Sequence, residues 1–142
     1  MTSQRQGLIL YVHGARDPRW AEPFERLRER IAAQAPQCIV TLAFLEHMAP
    51  DLASAAVQLA AQGADAVRIV PMFFGRGGHL RDDFPRQLEA ARMAAPAVTL
   101  VVTEAAGESE QVQDALAEFA LRVPAIAAKN IKANSPNIAT SR

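Results

Sequence analysis

Four short apolar runs alternate with four stretches of helical periodicity, and this alternation narrows the possible folds more than any other feature of the chain. The runs are residues 8–12, 39–44, 66–72 and 98–102, with β-branched residues prominent among them (Ile39, Val40, Val67, Ile69, Val70). Runs that are continuously apolar, rather than alternating, suit strands covered on both faces. After the first run, Phe24, Leu27, Ile31 and Ala35 recur at spacings of three and four with charges between them. That pattern predicts a helix over residues 20–35, ended by Pro36. Asp51 is placed to cap a second helix through residue 62, with Gly63 as its stop. A third helix is expected from Asp82 or Asp83 to residue 95, with Pro85 in its first turn, and a fourth from the cap Ser109 to residue 121. Strand and helix in alternation predict βαβ units, hence an α/β fold with an open parallel sheet of four strands and helices on both faces. Right-handed crossovers leave few topologies, and strand order 2-1-3-4 is the expected one.

The 142 residues amount to one domain. Residues 1–123 are assigned to the α/β domain and residues 124–142, rich in Asn, Ser and Ala, to a flexible C-terminal tail. Fifteen basic and fifteen acidic residues cancel, so the excess positive charge that drives counterion release from nucleic acid is missing and no nucleic-acid partner is expected. No run approaches the ~20 apolar residues of a membrane span, and the five apolar residues at 8–12 are too few for a secretion signal. The expectation is a cytoplasmic protein with no membrane partner. A single cysteine, Cys38, excludes an internal disulfide and is read as a buried thiol in an apolar run.

In an open α/β sheet, ligands bind beyond the carboxyl ends of the strands, where strand order reverses. All three histidines of the chain fall on the segments that leave those ends. His13 follows the first strand at once, Glu46 and His47 follow the second, and His79 follows the third after the glycine-rich run Gly75, Gly77, Gly78. Two imidazoles and a carboxylate make a donor set for a divalent transition metal, and imidazole also exchanges protons near neutral pH. His47 is the least committed of the three. The glycines permit close backbone approach to a ligand ahead of a helix N-terminus, although they match no nucleotide-binding fingerprint. Arg16, Arg19, Arg76 and Arg81 bracket His13 and His79 in sequence, and arginine pairs with carboxylates through its planar fork. Serine-nucleophile chemistry is disfavoured because no Gly-x-Ser-x-Gly elbow occurs in the chain.

Three blocks carry a resemblance: Val12-His13-Gly14-Ala15-Arg16-Asp17-Pro18, then Ala43-Phe44-Leu45-Glu46, then Val70-Pro71-Met72-Phe73-Phe74 with Gly77-Gly78-His79-Leu80-Arg81-Asp82-Asp83-Phe84-Pro85. In order and spacing they resemble the small CbiX-type sirohydrochlorin chelatases, a class II chelatase family. The resemblance implies a lyase-type enzyme that inserts a divalent metal into sirohydrochlorin in cobalamin or siroheme-type tetrapyrrole biosynthesis. Cobalt is the expected metal, with nickel or iron as variants, and no permanent cofactor is implied. It assigns metal binding and catalysis to His13, His79 and Glu46, and binding of the polycarboxylate macrocycle to Arg16, Arg76, Gly77, Gly78 and Arg81. The serine usual after His-Gly in the family is Ala15 here, and an acidic residue common before the second block's proline is Ala49. Longer members hold two such units facing each other, so a single unit implies a homodimer. The alternatives are a non-catalytic metal or tetrapyrrole carrier, and an anion-binding regulatory domain built on the glycine run.

Overall fold

The computed structural model describes residues 5–75 and 77–122, and of residues 78–80 the backbone only. Strand β1 (Gln6–Val12) pairs in parallel with β2 (Ile39–Phe44) on one side and β3 (Ala66–Pro71) on the other, and β4 (Thr99–Val102) pairs in parallel with β3. The order is β2-β1-β3-β4, as the alternation predicts. Register aligns Val12 with Phe44 and Tyr11 with Pro71. Three strands therefore end side by side. Ladder-like bonds carry the alignment one residue further, from Leu45 N to Val12 O at 2.8 Å and from Met72 N to Tyr11 O at 2.8 Å.

Helix α1 (Glu22–Gln34) and the 3₁₀ turn before it (Pro18–Ala21) cover one face of the sheet, where Phe24, Leu27 and Ile31 pack on Leu10, Val12, Leu42 and Phe44. The periodicity ran two residues into the 3₁₀ turn because Pro23 suits only the first turn of an α-helix, so α1 starts at Glu22. Helices α2 (Leu52–Ala61) and α3 (Gly78–Ala94) cover the other face over Ile9, Tyr11, Ala43, Val67 and Ile69. Alternate residues of β1 thus feed opposite cores, the period-2 consequence of a pleated strand. Asp51 caps α2 as expected, its carboxylate accepting from Ser54 N at 2.8 Å. Gly7 is buried, and a Cβ there would meet Leu59 and Val67 side chains at 3.0 Å. Cys38 is partly exposed rather than buried, because it sits at the mouth of β2 rather than within it.

Helix α3 begins at Gly78, four to five residues earlier than expected, with Gly77 as its N-cap. His79 accordingly stands in the first turn of a helix and not in a loop. Pro85 lies inside α3, where it lacks the N–H that would reach the Arg81 carbonyl. Helix-breaking residues mark where a helix starts only if nothing else holds the turn before them. Here the apolar side chains Phe84 and Leu88 anchor α3 to the core on both sides of the proline.

The chain divides into two compact units, Met1–Glu108 and Ser109–Arg142. The first holds the sheet and α1 to α3. Of the second, the described part is α4 (Glu110–Leu121), whose cap Ser109 accepts from Val112 N at 3.4 Å and whose last turn carries an Arg122–Glu118 pair at 2.7 Å. Residues 124–142, read as a tail, lie outside the described residues. Among the described residues no helix is long and apolar enough to cross a membrane.

Candidate active site

His13, the first residue after β1, stands beside Glu46, the second residue after β2, because those strands end in register. His13 Nδ1 lies 3.1 Å from Glu46 Oε1, and Gly14 N donates to Glu46 Oε2 at 3.0 Å. Both carboxylate oxygens are held, one by a side chain and one by backbone. Each oxygen keeps a further lone pair. An anionic carboxylate facing Nδ1 favours the tautomer with the proton on that nitrogen, which leaves Nε2 as the acceptor. Nε2 makes no hydrogen bond to a described residue.

His13 is fixed from two more directions. The imidazole ring meets Phe73 edge-on with centroids 4.6 Å apart, and the residue's backbone carbonyl accepts from Trp20 Nε1 at 2.7 Å. The His13 side chain remains 48 % exposed and that of Glu46 39 %, so the pair is anchored from below and open above. Burial pushes the Glu46 carboxyl up, but the Gly14 N–H, the His13 hydrogen bond and the charges of His13 and His47 outweigh it. Its pKa falls below the ordinary 4.5.

Glycine at position 14 follows from contact. A Cβ there would lie 1.7 Å from the Glu46 carbonyl oxygen, a distance no side chain tolerates. The Glu46 segment is itself tightly wound, since Met48 N bonds to Glu46 O at 2.8 Å across His47, whose φ is +66°. That three-residue turn forces a non-glycine residue into the left-handed region, a strain typical of segments held for function. His47 is exposed and takes no part in the His13–Glu46–Gly14 hydrogen bonds.

Beside the pair runs a partly buried polar link that sequence patterns do not disclose. Tyr11, wholly buried, donates its hydroxyl to Gln87 Oε1 at 2.6 Å, and Gln87 Nε2 donates to Leu45 O at 3.0 Å. Tyr11 also stacks on Phe84, centroids 5.2 Å apart. β1, the Glu46 segment and α3 are thereby tied together by one side chain of α3. Tyr11 lies in the first apolar run and Gln87 in the third helical stretch, and nothing local marks either one. Only their meeting across 76 positions gives them a role.

Of the remaining expected residues, Arg16 is exposed in the segment after His13 and pairs with no described residue, while Arg19 is held by Asp17 at 2.8 Å. Arg81 is exposed on α3, and Gly77 is its N-cap. Arg76 lies outside the described residues, as does the side chain of His79, and of Gly78 the backbone position in α3 is what is described. Among the described residues no group of three or more His, Cys, Asp or Glu side chains is arranged to hold a metal. The structure brings His13 and Glu46 together and places His79 at the start of the helix that Tyr11 and Gln87 tie to them.

Comparison with known proteins agrees with this architecture. The CbiX family model matches residues 7–122. The chain is 31 % identical over 114 residues to a sirohydrochlorin cobaltochelatase of Sulfolobus acidocaldarius, covering 80 % of this chain and 89 % of that one. It is 28 % identical over 112 residues to a protein of the same name from Sulfurisphaera tokodaii, covering 79 % and 88 %. Among solved structures, a cobalamin (vitamin B12) biosynthesis CbiX protein of Marinobacter aquaeolei VT8 superposes with a TM-score of 0.66 at 29 % identity over 83 % of this chain and 99 % of that one. The fold is shared with SirB of Bacillus subtilis, solved with Fe³⁺, at a TM-score of 0.70 and 21 % identity, where this chain spans 49 % of that one. With its family model matched from the first strand to the end of the fourth helix, the chain belongs to the CbiX family.

Proposed function

We propose that this protein inserts a divalent metal ion, cobalt first, into sirohydrochlorin. The observation that carries the reading is the His13–Glu46 pair. It is an imidazole oriented through Nδ1 by a carboxylate, with Nε2 directed away from that bond and nearly half its surface open, at the carboxyl edge of a CbiX-family sheet. The names of the similar proteins, sirohydrochlorin cobaltochelatases, support the same substrate and metal.

The chemistry required is simple to state. A free-base macrocycle must lose two N–H protons as M²⁺ enters, and the protein must hold the ring, present the ion from one face and accept protons. His13 Nε2 is assigned to the ion. His79, at the start of α3, is assigned as the second imidazole. Glu46 holds His13 in the productive tautomer, an arrangement in which a carboxylate raises the basicity of a metal-binding histidine, and is the assigned proton acceptor or third ligand. The metal is substrate, so a site with few protein ligands suits an ion that must be passed on. Arg16, Arg76, Arg81 and the Gly77–Gly78 backbone are assigned to the carboxylates of the macrocycle. Nickel and iron remain within the chemistry of the same donors.

A single four-stranded unit walls only one face of a flat ring, so we assign the working form as a homodimer in the cytoplasm, with the two site edges facing each other. Light scattering during size exclusion checks the dimer; a monomer at working concentration counts against it. For the activity, sub-stoichiometric protein is mixed with sirohydrochlorin and Co²⁺ and the absorption change is followed. Many equivalents of product per site are expected. Product stopping at one equivalent overturns the enzymatic reading in favour of a carrier, and repeating with Ni²⁺ and Fe²⁺ ranks the metals.

A further inference from the structure

A second concavity opens on the same edge of the sheet, at the carboxyl ends of β3 and β4. It has a volume of about 250 Å³ and is walled by Pro71, Phe84, Pro85 and Val102, with Arg81 and Thr103 as its polar members. Pro71 and Val102 are the last residues of their strands. Arg81, Phe84 and Pro85 lie three and four apart on α3, so they share one helix face. Among the described residues no acidic side chain lines the concavity, and Arg81 makes no ion pair with any of them. Thr103 donates its hydroxyl to Glu104 O at 2.9 Å, which leaves its oxygen as an acceptor only. The floor is continuous with the His13 site, because Phe84 stacks on Tyr11 and Tyr11 packs edge-on against Phe73, which in turn touches His13. In strand spacings, the middle of the β3–β4 gap is one and a half strands from β1, or about 7 Å.

An apolar slot with a guanidinium at its side is complementary to a short aliphatic stem that ends in an anion. We propose that this cleft takes one carboxylate-bearing side arm of the macrocyclic substrate, the methylene stem against Pro71, Phe84 and Val102 and the carboxylate on the Arg81 guanidinium. The inference rests on the proposed substrate class. It adds a location and a geometry: the arm anchors the ring about one and a half strands to the side of the metal-presenting imidazole, which fixes where the ring centre lies. A planar guanidinium sets the orientation of a carboxylate as well as attracting it.

The test reads binding without metal, by quenching of sirohydrochlorin fluorescence, and uses the free acid and its methyl ester. Arg81→Gln, at an exposed position, and Val102→Phe, which fills the slot while keeping the arginine, are compared with the unaltered protein. Expected are a loss of affinity for the free acid of about tenfold in Arg81→Gln, from one charge-assisted hydrogen-bonded pair, and a comparable loss in Val102→Phe. For the ester, Arg81→Gln should match the unaltered protein, since the charge it recognises is gone. In turnover, the loss should appear in KM with kcat within about twofold. Equal affinity of Arg81→Gln and unaltered protein for the free acid overturns the subsite, as does an equal loss for acid and ester. If Val102→Phe fails to fold, the acid-against-ester comparison in Arg81→Gln decides alone. Tight binding of the acid with no metal insertion by the unaltered protein overturns the chelatase reading and leaves the subsite standing, whereas absence of binding overturns both.

Discussion

Gly14 and Glu46 are interlocked through backbone and side chain at once. The Gly14 amide donates to Glu46 Oε2 at 3.0 Å, and the space where a Cβ of residue 14 would stand is taken by the Glu46 carbonyl oxygen, 1.7 Å from that point. The His-Gly pair is thus a seat for the second strand's loop as much as a turn after the first. Gly14→Ala must push the two segments apart. We expect a destabilisation of about 1–3 kcal/mol from overpacking, read by denaturant midpoint. Metal insertion should fall by about a hundredfold, from displacement of a positioned group. A variant with normal turnover would show that the seat does not set the site.

Glu46 orients His13 through Nδ1, and removing its charge should tell on the metal before it tells on the fold. Glu46→Gln is expected to weaken Co²⁺ binding by about 10- to 100-fold, the usual cost of losing such a partner, as measured by metal titration. His13→Ala should abolish saturable binding at the same concentrations. If both variants bind Co²⁺ like the unaltered protein, His13 is not the ligand.

The same carboxyl leaves a signature in the acid range. Its pKa is lowered in the fold, by the Gly14 N–H and His13 bonds acting against burial. The unfolded chain therefore takes up this proton first as pH falls. The contribution to stability is complete above the ordinary 4.5 and is lost as pH drops from there through the folded value. Glu46→Gln should be less stable than the unaltered protein near neutrality, with the difference closing below that point in urea melts taken as a function of pH. Turnover should decline on acidification as well, since metal binding needs neutral imidazole.

Tyr11 reports from the other end of the pH scale. It is the single tyrosine of the chain. Burial, and after it the charges of Glu46, Asp83 and Asp51, raise its pKa far above the ordinary 10.0. A raised folded value means that this contribution is whole below 10.0 and lost as pH rises above it. Tyrosinate absorbance should therefore appear only as the fold is lost on alkaline titration, coincident with the far-ultraviolet signal. Ionisation near the ordinary value with the fold intact would contradict the buried Tyr11–Gln87 bond. Tyr11→Phe should cost about 1–2 kcal/mol, because it leaves Gln87 Oε1 without its donor.

Much of this molecule is readable along the chain, because the cues are local. Apolar runs of strand length, a capping Asp51, stops at Pro36 and Gly63, and the side on which each strand's loop must emerge follow from short-range sterics and burial. Together they yield the β2-β1-β3-β4 sheet and set His13 and Glu46 on one edge. Where a local cue misled, a tertiary contact had outweighed it. Pro85 suggested a helix start, yet Phe84 and Leu88 hold α3 to the core and the helix begins at Gly78. What only the folded structure decided is the set of distances among residues remote in sequence. These are the 3.1 Å between His13 and Glu46, the exclusion of any side chain at Gly14, and the Tyr11–Gln87–Leu45 link that joins α3 to both. The reason is physical: strand ends are brought into register by hydrogen bonding along the sheet, and a buried polar group must find its partner wherever packing puts one.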